Sequence, residues 1–472
     1  MKYYNIIRNS FLMGMAALAV SACQEDLTIG TVDAPSVSGS GEPLIYVADT
    51  NGNTANANLE FRGDTGLDLF VNTTAPVAED MTLYFTYDAT VLDEYNRANR
   101  TAHVAVPESM VSFSNDGAAT LKAGNSQSAP MTVGITSDGS LDSEVSYAVP
   151  VRISTGASRA SVASNSQTRI IFVRDLTGLQ DCFKTVIDAN GNEVDGIKIF
   201  SCMEVNDTNP LNNLRYTLKK SGKYMVDAVI LFAGNINYND ETGRVYFNAN
   251  PNVQHLLDNR EKYLKPLQDR GMKVIMGLLC NHDRASVANL ADETARYFAL
   301  DLKALCDAYK LDGIFYDCEY CKTGNYPGFV SNGAQAFSRL MYELWKLQPE
   351  RWNIAYCYSA TSRAVAIDGV QPGEFCHYGL HDYGNSYDMS GNYPGMPKSN
   401  MGLYSQELNL GRGIASLGQL RSMRNNGYGS HMVFAMDPTK HSWRDDNVMS
   451  NCAQAFYDDE VVIDPHMYEK DW

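Results

Sequence analysis

The sequence predicts an α/β protein, a (β/α)8 TIM-type barrel preceded by an all-β sandwich domain, and three observations predict it. Beyond residue 175, eight apolar runs alternate with helix-patterned segments, the rhythm of a barrel that takes about 250 residues. Before that point, short runs of period-two alternation recur between Gly, Asn, Asp and Ser clusters, the pattern of a sandwich. At 472 residues with 44% hydrophobic and 10% aromatic residues, the chain is long enough for two cores.

The first 23 residues stand apart from both. Lys2 and Arg8 provide a positive start and Phe11 to Val20 a short apolar core, followed by Val20-Ser21-Ala22-Cys23. That reads as a signal peptide ending in a lipobox, with cleavage before Cys23 and acylation of that cysteine. The apolar stretch is too short for a spanning helix, and no later segment is apolar enough to span. Gln24-Glu25-Asp26 follow directly. This run resembles the signal that sends Bacteroides-type lipoproteins to the outer face of the outer membrane. The expectation is an outer-membrane lipoprotein, exposed at the cell surface and held by a lipid on Cys23.

Residues 27–175 form the predicted sandwich. MTLYFTY (81–87), APMTVGI (129–135) and SYAVPVRI (146–153) are its clearest strands, and VLDEYNRAN (91–99) is one helical interruption. His103 is the sole histidine and no carboxylate pair stands out. The region resembles the β-sandwich domain that precedes glycan-degrading modules in Bacteroides-type surface lipoproteins. A spacer role and an accessory glycan-binding role are both open.

Residues 180–472 form the predicted barrel. Its strands are GIKIFSCMEV (196–205), VDAVILFAGNINY (226–238), KVIMGLLCNHD (273–283), LDGIFYDCEY (311–320), RWNIAYCYSA (351–360), EFCHYGLHDYG (374–384), NMGLYSQEL (400–408) and SHMVFAMD (430–437). Helices are expected over 253–271, with Gly271 as a stop, and over 286–309. A doubly wound open sheet is the competing arrangement, but no Gly-rich phosphate loop opens the first unit.

Net charge is −17, which argues against nucleic acid as a partner, since that needs a basic face. Nine cysteines lie beyond residue 180. Cys280, Cys318 and Cys357 fall in apolar strand runs, where cysteine acts as a small core residue. Cys318 and Cys321 have CxxC spacing, but no second cysteine pair or histidine cluster completes a zinc or redox site. No metal or organic cofactor is therefore expected.

The chemistry concentrates in LDGIFYDCEY. Asp317 and Glu319 end the fourth strand, and barrel active sites gather at the C-terminal strand ends. Their i, i+2 spacing puts both on one face, shared with Phe315 and Gly313. Asp312 has the opposite parity and reads as structural. Two carboxylates in a partly desolvated mouth cannot both ionise easily, so one holds its proton towards neutral pH. Glycoside cleavage needs such a division of labour. From spacing alone, a metal-binding or salt-bridged carboxylate pair is nearly as good a reading.

DGIFYDCEY resembles the glycoside hydrolase family 18 signature DGxDxDxE, with Asp312, Gly313, Asp317 and Glu319 matching. LFAGNINYND (231–240), NVQHLLDN (252–259), PLQDRGMKVIMGLLCNHD (266–283) and NNGYGSHMVFAMD (425–437) are similar, in the same order, to segments of the endo-β-N-acetylglucosaminidases of the endoglycosidase H and F kind. The resemblance implies cleavage of the β-1,4 bond within the GlcNAc-GlcNAc core of N-glycans on glycoproteins. It implies Glu319 as general acid and Asp317 as the group orienting the substrate's own 2-acetamido nucleophile. A tyrosine of the sixth-strand region is implied as a contact to that acetamido oxygen, with Tyr383 the first candidate and Tyr378 the second. Asn235, Asn237 and Asn281 sit where sugar hydroxyls would be held, and each also suits a turn or cap. Phe315 departs from the signature, which has aspartate there. It removes a like charge beneath Asp317, which lowers that pKa, and deepens desolvation, which raises it. A chitinase and a catalytically silent glycan-binding barrel are the alternatives that remain open at this point.

Overall fold

The computed structural model describes residues 44–472 apart from 157–161, 189, 323 and 325. The leader, the lipobox and Cys23 lie outside the described residues. The chain divides into two compact units after Gly178. Among the described residues no helix is long and apolar enough to cross a membrane.

The first unit is built from two β-sheets. One orders Ile45–Asp49, Thr65–Thr73, Met131–Ile135 and Val111–Phe113 as antiparallel neighbours. The other runs Ala57–Phe61, Thr168–Asp175, Tyr147–Thr155, Met81–Tyr87 and Ala118–Leu121. Alternate residues turn inward, as a half-buried strand requires. Val47, Leu69, Val71 and Val133 from the first sheet meet Leu83, Phe85, Val149 and Ile171 from the second in one core. The expected helical interruption is the helix Ala89–Asn99, capped at its start by the Asp88 side chain accepting from the Thr90 N–H.

The second unit carries eight parallel strands in chain order: β1 (Lys198–Glu204), β2 (Val226–Asn239), β3 (Lys273–Cys280), β4 (Gly313–Asp317), β5 (Trp352–Cys357), β6 (Tyr378–His381), β7 (Ser405–Glu407) and β8 (Ser430–Phe434). Each pairs with the next from β1 to β6, β7 pairs with β8, and β8 returns to β1. The remaining gap, from β6 to β7, is bridged at its base, where Gly402 N donates to Gly379 O at 2.8 Å beside a Gly379–Met401 bridge. All eight expected strands are present. The seventh is only three residues long, and its buried Ser405, Gln406 and Glu407 are polar.

Strands β1 to β5 read as near-continuous apolar runs because both faces are covered. Inward residues such as Phe200, Ile230, Phe315, Ile354 and Met432 fill the barrel, while Ile199, Val229, Val274 and Ile314 pack outward against the helices. Gly313 is fixed by a close approach, since a Cβ there would stand 2.1 Å from the Trp352 carbonyl oxygen of β5. Asp312 accepts from Lys273, Gln268 and Val274 N, which bears out its structural assignment.

Two helices depart from expectation. The segment 253–271 is broken into Pro251–Asp258, Arg260–Tyr263 and Lys265–Gln268. Asn259 leaves helical geometry and binds His255 O through its side chain, and Pro266 lacks the N–H a continuous helix needs. Gly271 does end the segment, at φ +83°. The second helix starts at Asp292 rather than 286, because the Asn289 side chain accepts from Ser286 N and holds 286–289 as a turn.

Candidate active site

A cavity of about 370 Å³ opens at the C-terminal ends of the strands. Its base is apolar, formed by Phe315, Phe232, Cys202 and Met432. Above it stand Asp317 and Glu319 from the end of β4, Glu204 from the end of β1, Tyr356 from β5, and Tyr383 just after β6. The i, i+2 parity that sends Phe315 inward also sends Asp317 inward one layer higher. Glu319, two residues further, reaches the mouth beyond the strand.

Asp317 is 2% exposed and its Oδ1 has no hydrogen-bond partner among the described residues. Burial first, and the neighbouring Glu319 charge second, push its carboxyl well above the usual range. Burial also raises Glu319, so both carboxyls disfavour ionisation. Among the residues lining the cavity there is no lysine or arginine to neutralise them. The pair therefore gives up its last proton less readily than an isolated carboxyl would. Phe315, 1% exposed, closes the cavity floor beneath the pair, and burial is the largest influence on Asp317.

Tyr383 lines the cavity, and burial followed by the Glu319 charge raises its hydroxyl to about 12. Asn235 lines it too, its side chain donating to Leu279 O at 3.3 Å. Asn237 and Asn281 are joined to each other at 3.2 Å, and Asn237 also donates to Asp283. They tie the end of β2 to the loop after β3 and are not among the cavity's lining residues. Tyr378 is likewise not brought to the cavity. It begins β6 and so falls in the lowest layer of the barrel interior, against Phe200 at 5.1 Å and Trp352 at 4.8 Å.

Sequence reasoning missed Glu204 and Tyr356. Glu204 sits as the last residue of β1, the position that singled out Asp317 on β4, so the signal was there. Burial, then the Asp207 charge, raises its carboxyl to about 7. Tyr356 is tilted against Phe315 at 5.9 Å and is raised by burial and by Asp317.

Residues 40–159 match a family model of an N-terminal domain. Endo-β-N-acetylglucosaminidase F1 of Elizabethkingia meningoseptica is 50% identical over 281 residues, covering 58% of this chain and 83% of that one. An endo-β-N-acetylglucosaminidase of Flavobacterium sp. (strain SK1022) is 29% identical over 49% of this chain and 73% of its own. Among solved structures, EndoBT-3987 of Bacteroides thetaiotamicron with Man5GlcNAc product is 30% identical with a TM-score of 0.58, over 90% of this chain and 97% of that one. The same protein in complex with Man9GlcNAc2Asn substrate gives 28% identity and the same score.

A barrel with a carboxylate pair at its mouth, and relatives of this kind, make the chain a glycoside hydrolase. More narrowly, it belongs to the endo-β-N-acetylglucosaminidase family.

Proposed function

We propose that the chain is a family 18 enzyme that hydrolyses the β-1,4 bond between the two core GlcNAc residues of N-glycans on glycoproteins, leaving one GlcNAc on asparagine. The observation that carries this is the pair Asp317 and Glu319 lining the cavity at the barrel mouth, with Asp317 buried and its Oδ1 unpartnered. The bound species of EndoBT-3987, a substrate with two GlcNAc units and a product with one, support the same bond. Glu319, half-buried and proton-retaining, protonates the leaving oxygen. Asp317 offers the unpartnered Oδ1 to the N–H of the substrate's 2-acetamido group. The acetamido oxygen then attacks the anomeric carbon to form an oxazolinium intermediate, and Tyr383 donates to that oxygen. Water activated by Glu319 opens the intermediate with net retention, without a covalent enzyme link.

The test uses the protein lacking residues 1–23, an N-glycosylated protein and chitin oligomers, read by mass spectrometry. A glycoprotein reduced to one GlcNAc per site, with no such product from Glu319→Gln, is the expected result. Cleavage of chitin oligomers alone would make it a chitinase, and binding without cleavage would overturn both.

We also infer that the mature protein is anchored to the outer membrane through Cys23 and faces outward. Support comes from the lipobox and the acidic run Gln24-Glu25-Asp26. Labelled palmitate should enter the wild type and not Cys23→Ala, and external protease should degrade the protein on intact cells. An unlabelled, protease-resistant wild type would overturn this.

A further inference from the structure

Behind the active site, the Cys318–Cys321 pair meets a third cysteine from a distant part of the sequence, Cys280. Cys280 ends β3, Cys318 follows β4, and Cys321 lies in the turn beyond it. Their sulfur atoms all lie within 4.8 Å of one another. Cys280 and Cys318 are buried and Cys321 is partly exposed. The CxxC pair, incomplete along the sequence, gains its third sulfur only because β3 and β4 are neighbours.

The surroundings are those of a thiolate site. The Asn332 side-chain amide donates to Cys318 Sγ at 3.3 Å and to Cys321 Sγ at 3.7 Å. The Ser286 hydroxyl lies 3.3 Å from Cys318 Sγ and donates to Asn332 Oδ1 at 3.0 Å. Ser286 is fully buried and fixed in turn by Asn289. Polar groups aimed at sulfur in this way orient ligands and stabilise their charge. A tetrahedral zinc ion with bonds of about 2.3 Å holds its sulfurs roughly 3.8 Å apart, which the present spacing reaches with small side-chain shifts. A disulfide needs about 2.05 Å between two sulfurs and leaves the third thiol unused.

We propose that Cys280, Cys318 and Cys321 bind one zinc-class thiophilic ion, with the fourth position left to an oxygen donor. Cys318 lies between Asp317 and Glu319 and points to the opposite face of the strand. The ion thus ties the ends of β3 and β4 together and holds the backbone that presents Glu319. Its role is structural and it takes no part in the cleavage step. Binding replaces three thiol protons with the metal.

The full chain, purified reduced and metal-free, is titrated with zinc chloride and, separately, with cobalt chloride. The expected result is one equivalent of zinc by mass spectrometry of the elements, a thiolate-to-cobalt charge-transfer band, and loss of three thiols to a thiol reagent. Zinc should also raise Tm. Cys321→Ser, at a partly exposed position, should weaken zinc binding by more than about 100-fold. Should that variant fail to fold, stoichiometry and thiol protection in the wild type decide alone. No stoichiometric zinc, undiminished binding by Cys321→Ser, or two fewer thiols in the denatured protein as isolated would each overturn the proposal.

Discussion

The ring of Tyr383 lies stacked on that of Phe434, with centroids 5.8 Å apart and planes 16° from parallel. Phe434 ends β8, so the stack joins the β6 loop to a rigid strand and sets where the tyrosine hydroxyl stands in the cavity. Tyr383→Phe keeps the stack and removes only the hydroxyl. We expect kcat to fall roughly 10- to 100-fold, the cost of one lost hydrogen bond in a desolvated site, with KM and Tm nearly unchanged. Phe434→Ala should instead disturb KM and kcat together, because the ring loses its seat. Steady-state kinetics on a defined glycopeptide separates the two.

The carboxylate pair gives a second contrast. Glu319→Gln removes the proton donor and should lower kcat by about 10²- to 10⁴-fold, while glycan affinity measured by calorimetry stays near that of the wild type. Asp317→Asn keeps the side-chain volume and an acceptor oxygen but removes the carboxylate charge that stabilises the developing oxazolinium. It should also lose kcat by at least about 100-fold, and exogenous azide should not restore it, because no covalent enzyme link forms. Azide rescue would contradict the substrate-assisted route.

The strands were legible because burial on both faces writes apolar runs into the sequence, as in Val226–Leu231 and Lys273–Cys280. The seventh was the hardest to delimit. Its buried polar residues are satisfied over long range, Ser405 by the His381 carbonyl and Gln406 by His431 at 2.9 Å, and no local pattern encodes that. Asp317 and Glu319 were legible from parity and strand-end position together. Glu204 met the same two criteria but has no second carboxylate at i+2, since position 206 is Asn, so no pair drew attention. The resemblance ranked Tyr383 above Tyr378, and what separates them physically is height in the barrel, which depends on where β6 begins.

Glu204 supplies a pH prediction. Its carboxyl is raised from 4.5 to about 7, chiefly by burial, so the folded protein favours the protonated form. Folding carries no penalty from this group below the unfolded value of about 4.3, a growing one as pH rises through that window, and the full penalty above about 7. Glu204→Gln removes the ionisation. The variant should match the wild type near pH 4 and exceed it at pH 8, by on the order of 1–2 kcal/mol once partial solvent exposure is allowed for. Thermal melts at the two pH values give the sign directly. A variant less stable than the wild type at pH 8 would show that ionised Glu204 is held by contacts worth more than its burial costs.

Phe315 tests the floor of the site. Its ring is buried between Phe232 at 6.2 Å and Tyr356 at 5.9 Å, below Asp317. Phe315→Ala leaves a cavity that rigid strands on either side cannot close, so the loss should reach about 3–5 kcal/mol. For a barrel of this size that is a fall in Tm on the order of 5–15 °C. Phe315→Leu, which keeps most of the volume, should cost well under half as much. Activity provides the second readout. If the ring serves only as core packing, Phe315→Ala assayed well below its Tm should keep the wild-type kcat. If it also keeps water from beneath Asp317, kcat should fall further in Phe315→Ala than in Phe315→Leu, in the order of the volume removed. The second result is the one expected, because burial is the largest influence on Asp317.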